Sequence, residues 1–115
     1  MNLDSAVFYT NDIDKVTEFY QDLIGLKLDY RQDDKYVSFW FENGVRLGIK
    51  KTTKDKENPG FQTIFIATED AKSLFDKLKQ KNVVFEKELI EQSWGTEFTV
   101  LDPDENRVLF IQRKE

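Results

Sequence analysis

Apolar positions along this chain fall into strand-like and helix-like spacings, and the order of those spacings occurs twice. Residues 3–10 (Leu3-Asp4-Ser5-Ala6-Val7-Phe8-Tyr9-Thr10) read as a buried strand. Ile13, Val16, Phe19, Tyr20, Leu23 and Ile24 then recur at helical spacing. Asn11 or Asp12 is placed to accept the free N–H groups of that helix's first turn, and Gly25 to close it in a left-handed conformation. Three strand-like runs follow, at residues 27–31, 36–41 and 45–50, with turn chemistry at Asp33-Asp34 and Asn43-Gly44.

Residues 51–60 (KTTKDKENPG) are polar and end in Pro59-Gly60, which marks a linker. After them the order recurs. Residues 61–67 read as a strand, and 69–81 as a helix with Ala71, Leu74, Phe75 and Leu78 on one face and Asn82 as its left-handed terminator. Residues 83–89, 97–101 and 107–113 read as strands, the last two joined by the turn Asp102-Pro103-Asp104-Glu105-Asn106. The chain is thus one α+β domain over residues 1–115, built as two βαβββ modules (1–50 and 61–115) around the linker. A small α+β unit buries its sheet poorly alone, so the modules are expected to pair.

Composition narrows the chemistry. Ten Phe, four Tyr and two Trp give a substantial core, and 17 basic against 22 acidic residues leave a net charge of −5. That sign argues against a general nucleic-acid binder, which needs a basic face. No apolar run reaches the length of a membrane span, and no signal peptide opens the chain, so a cytoplasmic location is expected. There is no histidine and no cysteine. The side chains that most readily hold Zn²⁺ or Fe²⁺ are therefore missing, along with the commonest general base and every Ser-His or Cys-His pair.

Two segments carry a family resemblance. Asn11-Asp12-Ile13 through Phe19-Tyr20 to Leu23-Ile24-Gly25-Leu26 is similar to a "D-(L/I)…FY…LG(L/F)" first helix. The run from Phe98 through Asp102-Pro103-Asp104-Glu105-Asn106 to Leu109-Phe110 is similar to "F…DPDGN…EL". In this order and separation they resemble the vicinal oxygen chelate superfamily, which includes glyoxalase I, bleomycin- and fosfomycin-resistance proteins and extradiol dioxygenases. The resemblance implies two βαβββ modules whose eight strands curl around a cavity, usually in a homodimer. It also implies four metal-ligand positions, which fall here at Ser5, Gly48, Gln62 or Thr63, and Leu109. Serine, glycine, an amide or hydroxyl, and leucine do not form a divalent-metal site. The chain therefore looks closest to the metal-free, ligand-binding members, with no cofactor.

Strand alternation provides candidate wall residues. If Val108 and Phe110 pack beneath the helices, Leu109 and Ile111 face the other way, as do Ser5, Val7 and Tyr9 on the first strand and Arg46 and Gly48 on the fourth. Arg46 reads either as a partner for an anionic group or as a salt-bridge residue at the rim. Trp40, in Ser38-Phe39-Trp40-Phe41, and Trp94, in a loop signature before Gly95, offer stacking faces, with core or interface packing as the alternative. Glu86, Glu88, Glu91 and Glu97 flank Trp94 and read as a solvated strand edge ahead of the alternative, an acidic–aromatic neighbourhood for a cationic ligand.

Tyr9, Trp40, Arg46, Trp94 and Leu109 are thus the expected ligand-binding residues of a metal-independent protein that sequesters an aromatic or cationic small molecule, a drug or toxin among them. The alternatives are a glyoxalase-like lyase, isomerase or dioxygenase with atypical ligands, and an interaction domain whose cavity is filled.

Overall fold

Asp12 starts the first helix: its carboxylate accepts the Lys15 N–H at 3.2 Å. The structure, a computed structural model, describes residues 1–114. Helix α1 (Ile13–Thr17) runs directly into a π-helical stretch, Glu18–Ile24, closed by Gly25 at φ 90°. The hydrophobic spacing predicts a single α-helix here, so the wider turn is a departure. Phe19 and Tyr20 are adjacent, both are buried, and their rings meet edge to face at 4.8 Å. A wider turn lets two neighbouring aromatic side chains point inward together.

The unit Met1–Gly60 holds this helix against β1 (Ser5–Thr10), β2 (Lys27–Gln32), β3 (Tyr36–Trp40) and β4 (Arg46–Lys51). The sheet order is β1-β4-β3-β2, with β1 parallel to β4 and the other pairs antiparallel. The unit from Phe61 onward repeats the plan. It contains β5 (Thr63–Ala67), α2 (Ala71–Lys79), β6 (Val84–Gln92), β7 (Gly95–Leu101) and β8 (Arg107–Arg113), in sheet order β5-β8-β7-β6. Two βαβββ modules are therefore present, as the repeat in the sequence predicts, and each forms its own four-stranded mixed sheet. No helix of the described residues is long and apolar enough to cross a membrane.

Each helix covers one face of its sheet. In the first unit Val16 and Tyr20 lie with Val37, Phe39, Leu47 and Ile49, all buried, and the Tyr20 and Phe39 rings are 5.8 Å apart. In the second, Phe75 of α2 meets Phe85 and Phe98 at 5.3 and 5.4 Å, and Phe98 stacks on Phe110 at 5.1 Å. Burying side chains of this size stabilises by about 1.5–3 kcal/mol each, which makes these faces the cohesive centre of each module.

Several local expectations change. Asn82 does not terminate α2: the helix ends at Lys79, and Gln80 and Lys81 donate to the Lys77 and Leu78 carbonyls, tightening the last turn. Strand β6 extends to Gln92, so the loop expected around Trp94 is only the hairpin turn before β7. Gly95 opens β7 because a Cβ there would overlap the Gln112 carbonyl oxygen and approach the Arg113 Cα to 2.9 Å. Glu105 stands where the resembled motif has glycine, and it adopts φ 64°. That turn is held by Asp102, whose carboxylate accepts the Asp104 and Asn106 N–H groups, both at 2.9 Å.

The expected linker is not a free tether. Lys51 belongs to β4, Thr52 N–H donates to the Thr10 carbonyl at 2.9 Å, and Glu57 folds back to accept from Lys50 Nζ at 2.8 Å and Thr53 N–H at 2.9 Å. The Lys50 ammonium holds the Glu57 carboxyl down to about 2, with help from the Thr53 N–H. Because its folded-state value lies below the ordinary 4.5, the clamp's contribution is present above that value and is lost as pH falls towards 2. Glu57→Gln is expected to speed amide exchange at Thr53 at neutral pH, and the unmodified protein to lose the same protection only between about pH 4 and 2. Equal protection in both proteins across that range would show that Glu57 does not hold the loop.

Candidate functional site

The face of each sheet turned away from its helix carries the candidate residues. In the first unit strand register places Ser5, Val7 and Tyr9 of β1, Arg46, Gly48 and Lys50 of β4, and Trp40, Ser38 and Tyr36 of β3 on this open face. Its alternation shows in β1, where Phe8 and Thr10 are buried and Val7 is 46 % exposed. Of the three expected residues in this unit, Trp40 and Arg46 are brought together, paired directly across β3 and β4. Tyr9 shares the face but lies level with Lys50, with the Val7–Gly48 row between it and the Ser5–Arg46 row.

Arg46 is the centre of the group. Its guanidinium carbon lies 3.9 Å from the Trp40 ring centroid, its Nε donates to Asp29 Oδ2 at 3.0 Å, and Nη1 is 3.7 Å from Asp4. Asp29 reaches this position because the β2–β3 register shifts between Leu28 and Tyr30, leaving Asp29 in a bulge. Ser38 Oγ donates to the same Asp29 oxygen at 3.1 Å. Of the two readings of Arg46, the salt bridge is the one present: two carboxylates of its own chain face it, and the cluster of Arg46, Asp29 and Asp4 carries one excess negative charge.

Tyr36 and Tyr30 complete the surface, and the sequence reading missed both. Their rings pack at 5.8 Å, and Tyr30 is exposed. The Tyr36 ring crosses Gly48 so closely that a Cβ on Gly48 would overlap the phenol oxygen and lie 2.6 Å from Cζ. Partial burial raises the Tyr36 phenol above its ordinary value, and Tyr30, Asp29 and Asp4 push the same way, so the hydroxyl keeps its proton at neutral pH. The signal available in the sequence was alternation: Tyr36 is two residues from Ser38 and four from Trp40, on one face of β3.

The second unit repeats part of this design. Glu86 sits in a bulge of β6, between Phe85 and Lys87, and accepts from Arg107 Nε at 2.7 Å, as Asp29 does from Arg46. Leu101 stands where Trp40 does, so the stacked ring is absent. Leu109 lies on this open face but is only 8 % exposed, and Ile111 is also buried, so β8 packs on both sides. Thr99, level with Leu109, is buried with a hydroxyl that has no partner among the described residues. Trp94 caps the β6–β7 hairpin, 48 % exposed, with its indole N–H donating to Glu97 at 2.8 Å. The acidic neighbourhood of Trp94 is largely engaged: Glu86 pairs with Arg107, Glu88 with Lys79, and Glu91 with Lys114. A polar pocket of about 790 Å³ beside the N-terminus of α2 is lined by Thr68, Glu69, Thr96 and Arg113 among others, and contains none of the expected residues.

The metal-ligand positions implied by the resemblance do not fit a metal. Register settles the third on Thr63, which shares a face with Leu109, whereas Gln62 precedes β5 and uses its backbone to bond Asn106 and Arg107. Ser5 and Thr63 have hydroxyls, Gly48 has no side chain and no room for one, and Leu109 has no donor atom. Among the described residues no three carboxylates converge on a common point.

Solved structures share the fold. TioX from Micromonospora sp. ML1 is 12% identical, covers 99% of this chain and 100% of its own, and superposes with a TM-score of 0.83. TnmS3, an antibiotic binding protein from Streptomyces sp. CB03234, is 18% identical over 99% of this chain and 97% of its own, with a TM-score of 0.84. A lactoylglutathione lyase from Agrobacterium tumefaciens is 16% identical over 96% and 92%, with a TM-score of 0.80. No curated protein matches the sequence. The family model described as Glyoxalase/Bleomycin resistance protein/Dioxygenase superfamily matches residues 2–110, and the chain belongs to that superfamily.

Proposed function

We propose that this protein binds an organic small molecule, aromatic or cationic, on the open sheet face around Trp40, Arg46 and Tyr36, and sequesters it without a metal and without converting it. The observation that carries this reading is the Trp40–Arg46–Asp29–Asp4 cluster, a stacked indole and guanidinium with one carboxylate in excess, on a face that its own helix leaves uncovered. An indole–guanidinium stack is a flat platform for a planar ring, and the surplus negative charge favours a cationic substituent. Trp94, in the second unit, offers a separate exposed ring edge for the same chemistry, with Leu109 as apolar surface of that unit's own sheet, while Tyr9 serves as wall on the first unit's face. The antibiotic-binding TnmS3 is a fold relative whose use of this architecture is in keeping with the proposal.

The working form is proposed to be a cytoplasmic homodimer. Edge strands β1 and β5 pair on one side only, and their outward residues Val7 and Phe65 are 46 % and 61 % exposed. Free edges and exposed apolar side chains of this size are normally covered.

A thermal-shift screen with bleomycin-like, planar aromatic and cationic compounds tests the binding reading. A true ligand at a hundred times its dissociation constant adds about 2.7 kcal/mol of stability. Trp40→Ala is expected to weaken such a ligand by about 2 kcal/mol or more, and Trp94→Ala by less. Unchanged affinity in both variants would remove the aromatic site. Metal independence has its own test. Leu109→Glu, which supplies the carboxylate at a ligand position, is expected to destabilise by about 3 kcal/mol in urea, because it buries an unpaired charge. Recovery of that stability by stoichiometric Zn²⁺ or Ni²⁺ would show a latent metal site.

A further inference from the structure

We infer that Tyr36 has taken over the first-unit metal position and made it a hydrogen-bond donor site for a neutral oxygen acceptor, such as a carbonyl, on the bound organic molecule. The first half stands on packing alone. Gly48 occupies the β4 ligand position, its φ is an ordinary strand value, and nothing in its backbone demands glycine. What excludes a side chain is the Tyr36 ring, which comes diagonally from β3 across the Ser38–Gly48 pair and sets its hydroxyl where a ligand's Cβ would begin. A carboxylate or imidazole at 48 and a phenol from 36 are alternatives for one volume.

The second half rests on the proposed binding role of this face. The Tyr36 hydroxyl makes no hydrogen bond to any described residue, while the polar groups around it are engaged: Ser38 with Asp29, Arg46 with Asp29 and Asp4. It is a protonated O–H beside the Trp40–Arg46 platform; the two cations of the same face are already paired, Arg46 with Asp29 and Asp4 and Lys50 with Glu57, and the carboxylates Asp29 and Asp4 act on it. A second carboxylate or phosphate would meet those charges, whereas a neutral acceptor would not. A planar ring on the platform with a carbonyl directed at Tyr36 satisfies the donor and leaves the internal ion pairs intact.

A double-mutant cycle tests the packing. Gly48→Ala is expected to lower the urea midpoint markedly when Tyr36 is present and to leave it unchanged or raised in a Tyr36→Ala background. An equal loss in both backgrounds overturns the replacement. The donor role is read with 1-tetralone and tetralin, rings of the same size with and without a carbonyl, by ligand-observed NMR. Tetralone is expected to bind at least about fivefold more tightly than tetralin, with that ratio falling to about one in Tyr36→Phe. A preference that survives Tyr36→Phe, or no preference, overturns the donor role alone. Failure of both probes to bind overturns it together with the aromatic site, and is thereby distinguishable from the first result.

Discussion

A four-stranded sheet has two faces, and each module of this protein has one helix with which to cover them. That constraint organises the molecule. The covered faces take the phenylalanines and branched aliphatics, from Val37, Phe39, Leu47 and Ile49 in one unit to Phe98, Val100, Val108 and Phe110 in the other. What remains is an open face on each sheet whose residues are not needed for cohesion with the helix. There the chain places Trp40, Arg46, Tyr36 and Tyr30 in the first unit, and Phe65 and Leu109 in the second.

The two open faces begin from one plan and diverge. In both, an arginine at the start of the strand parallel to the first is paired with a carboxylate from a bulge of the edge strand: Arg46 with Asp29, Arg107 with Glu86. A bulge strengthens local twist and frees one residue from the ladder, so the ion pair pins a deformation that a regular strand would not have. Only the first unit adds the indole under its arginine and the phenol over its glycine. The second has Leu101 where the first has Trp40, Leu109 where it has Gly48, and Glu97 where it has Tyr36. The superfamily frame is thus kept, with aromatic and aliphatic side chains at and around positions that the resemblance assigns to metal ligands.

Much of this was legible before any coordinates, because alternation and helical spacing are direct consequences of burying one face. The element order, the cap at Asp12 and the facing of Val108 and Phe110 follow from period and turn chemistry. What did not follow depended on contacts between residues distant in sequence. The bulge that delivers Asp29 to Arg46 has no local signature, so the sequence leaves Arg46 open between an anion partner and a salt bridge and does not name the carboxylate. Tyr36 was passed over because its importance lies in the glycine twelve residues later. The π-helical turn at Phe19-Tyr20, and the fold-back of Glu57 onto Lys50, likewise arise from packing that a linear pattern does not encode.

The central claim is that the open face of the first unit, with its metal position closed by Tyr36, holds an organic ligand. Amide and indole chemical-shift mapping with an aromatic compound bound at saturation tests it most directly. The expected result is perturbation at the Trp40 indole N–H, the Arg46 Nε–H and the amides of β3 and β4 around Ser38 and Gly48, with the helix-covered core unmoved. Shifts confined to other surfaces, or a stoichiometric divalent metal bound at these strands, would contradict it.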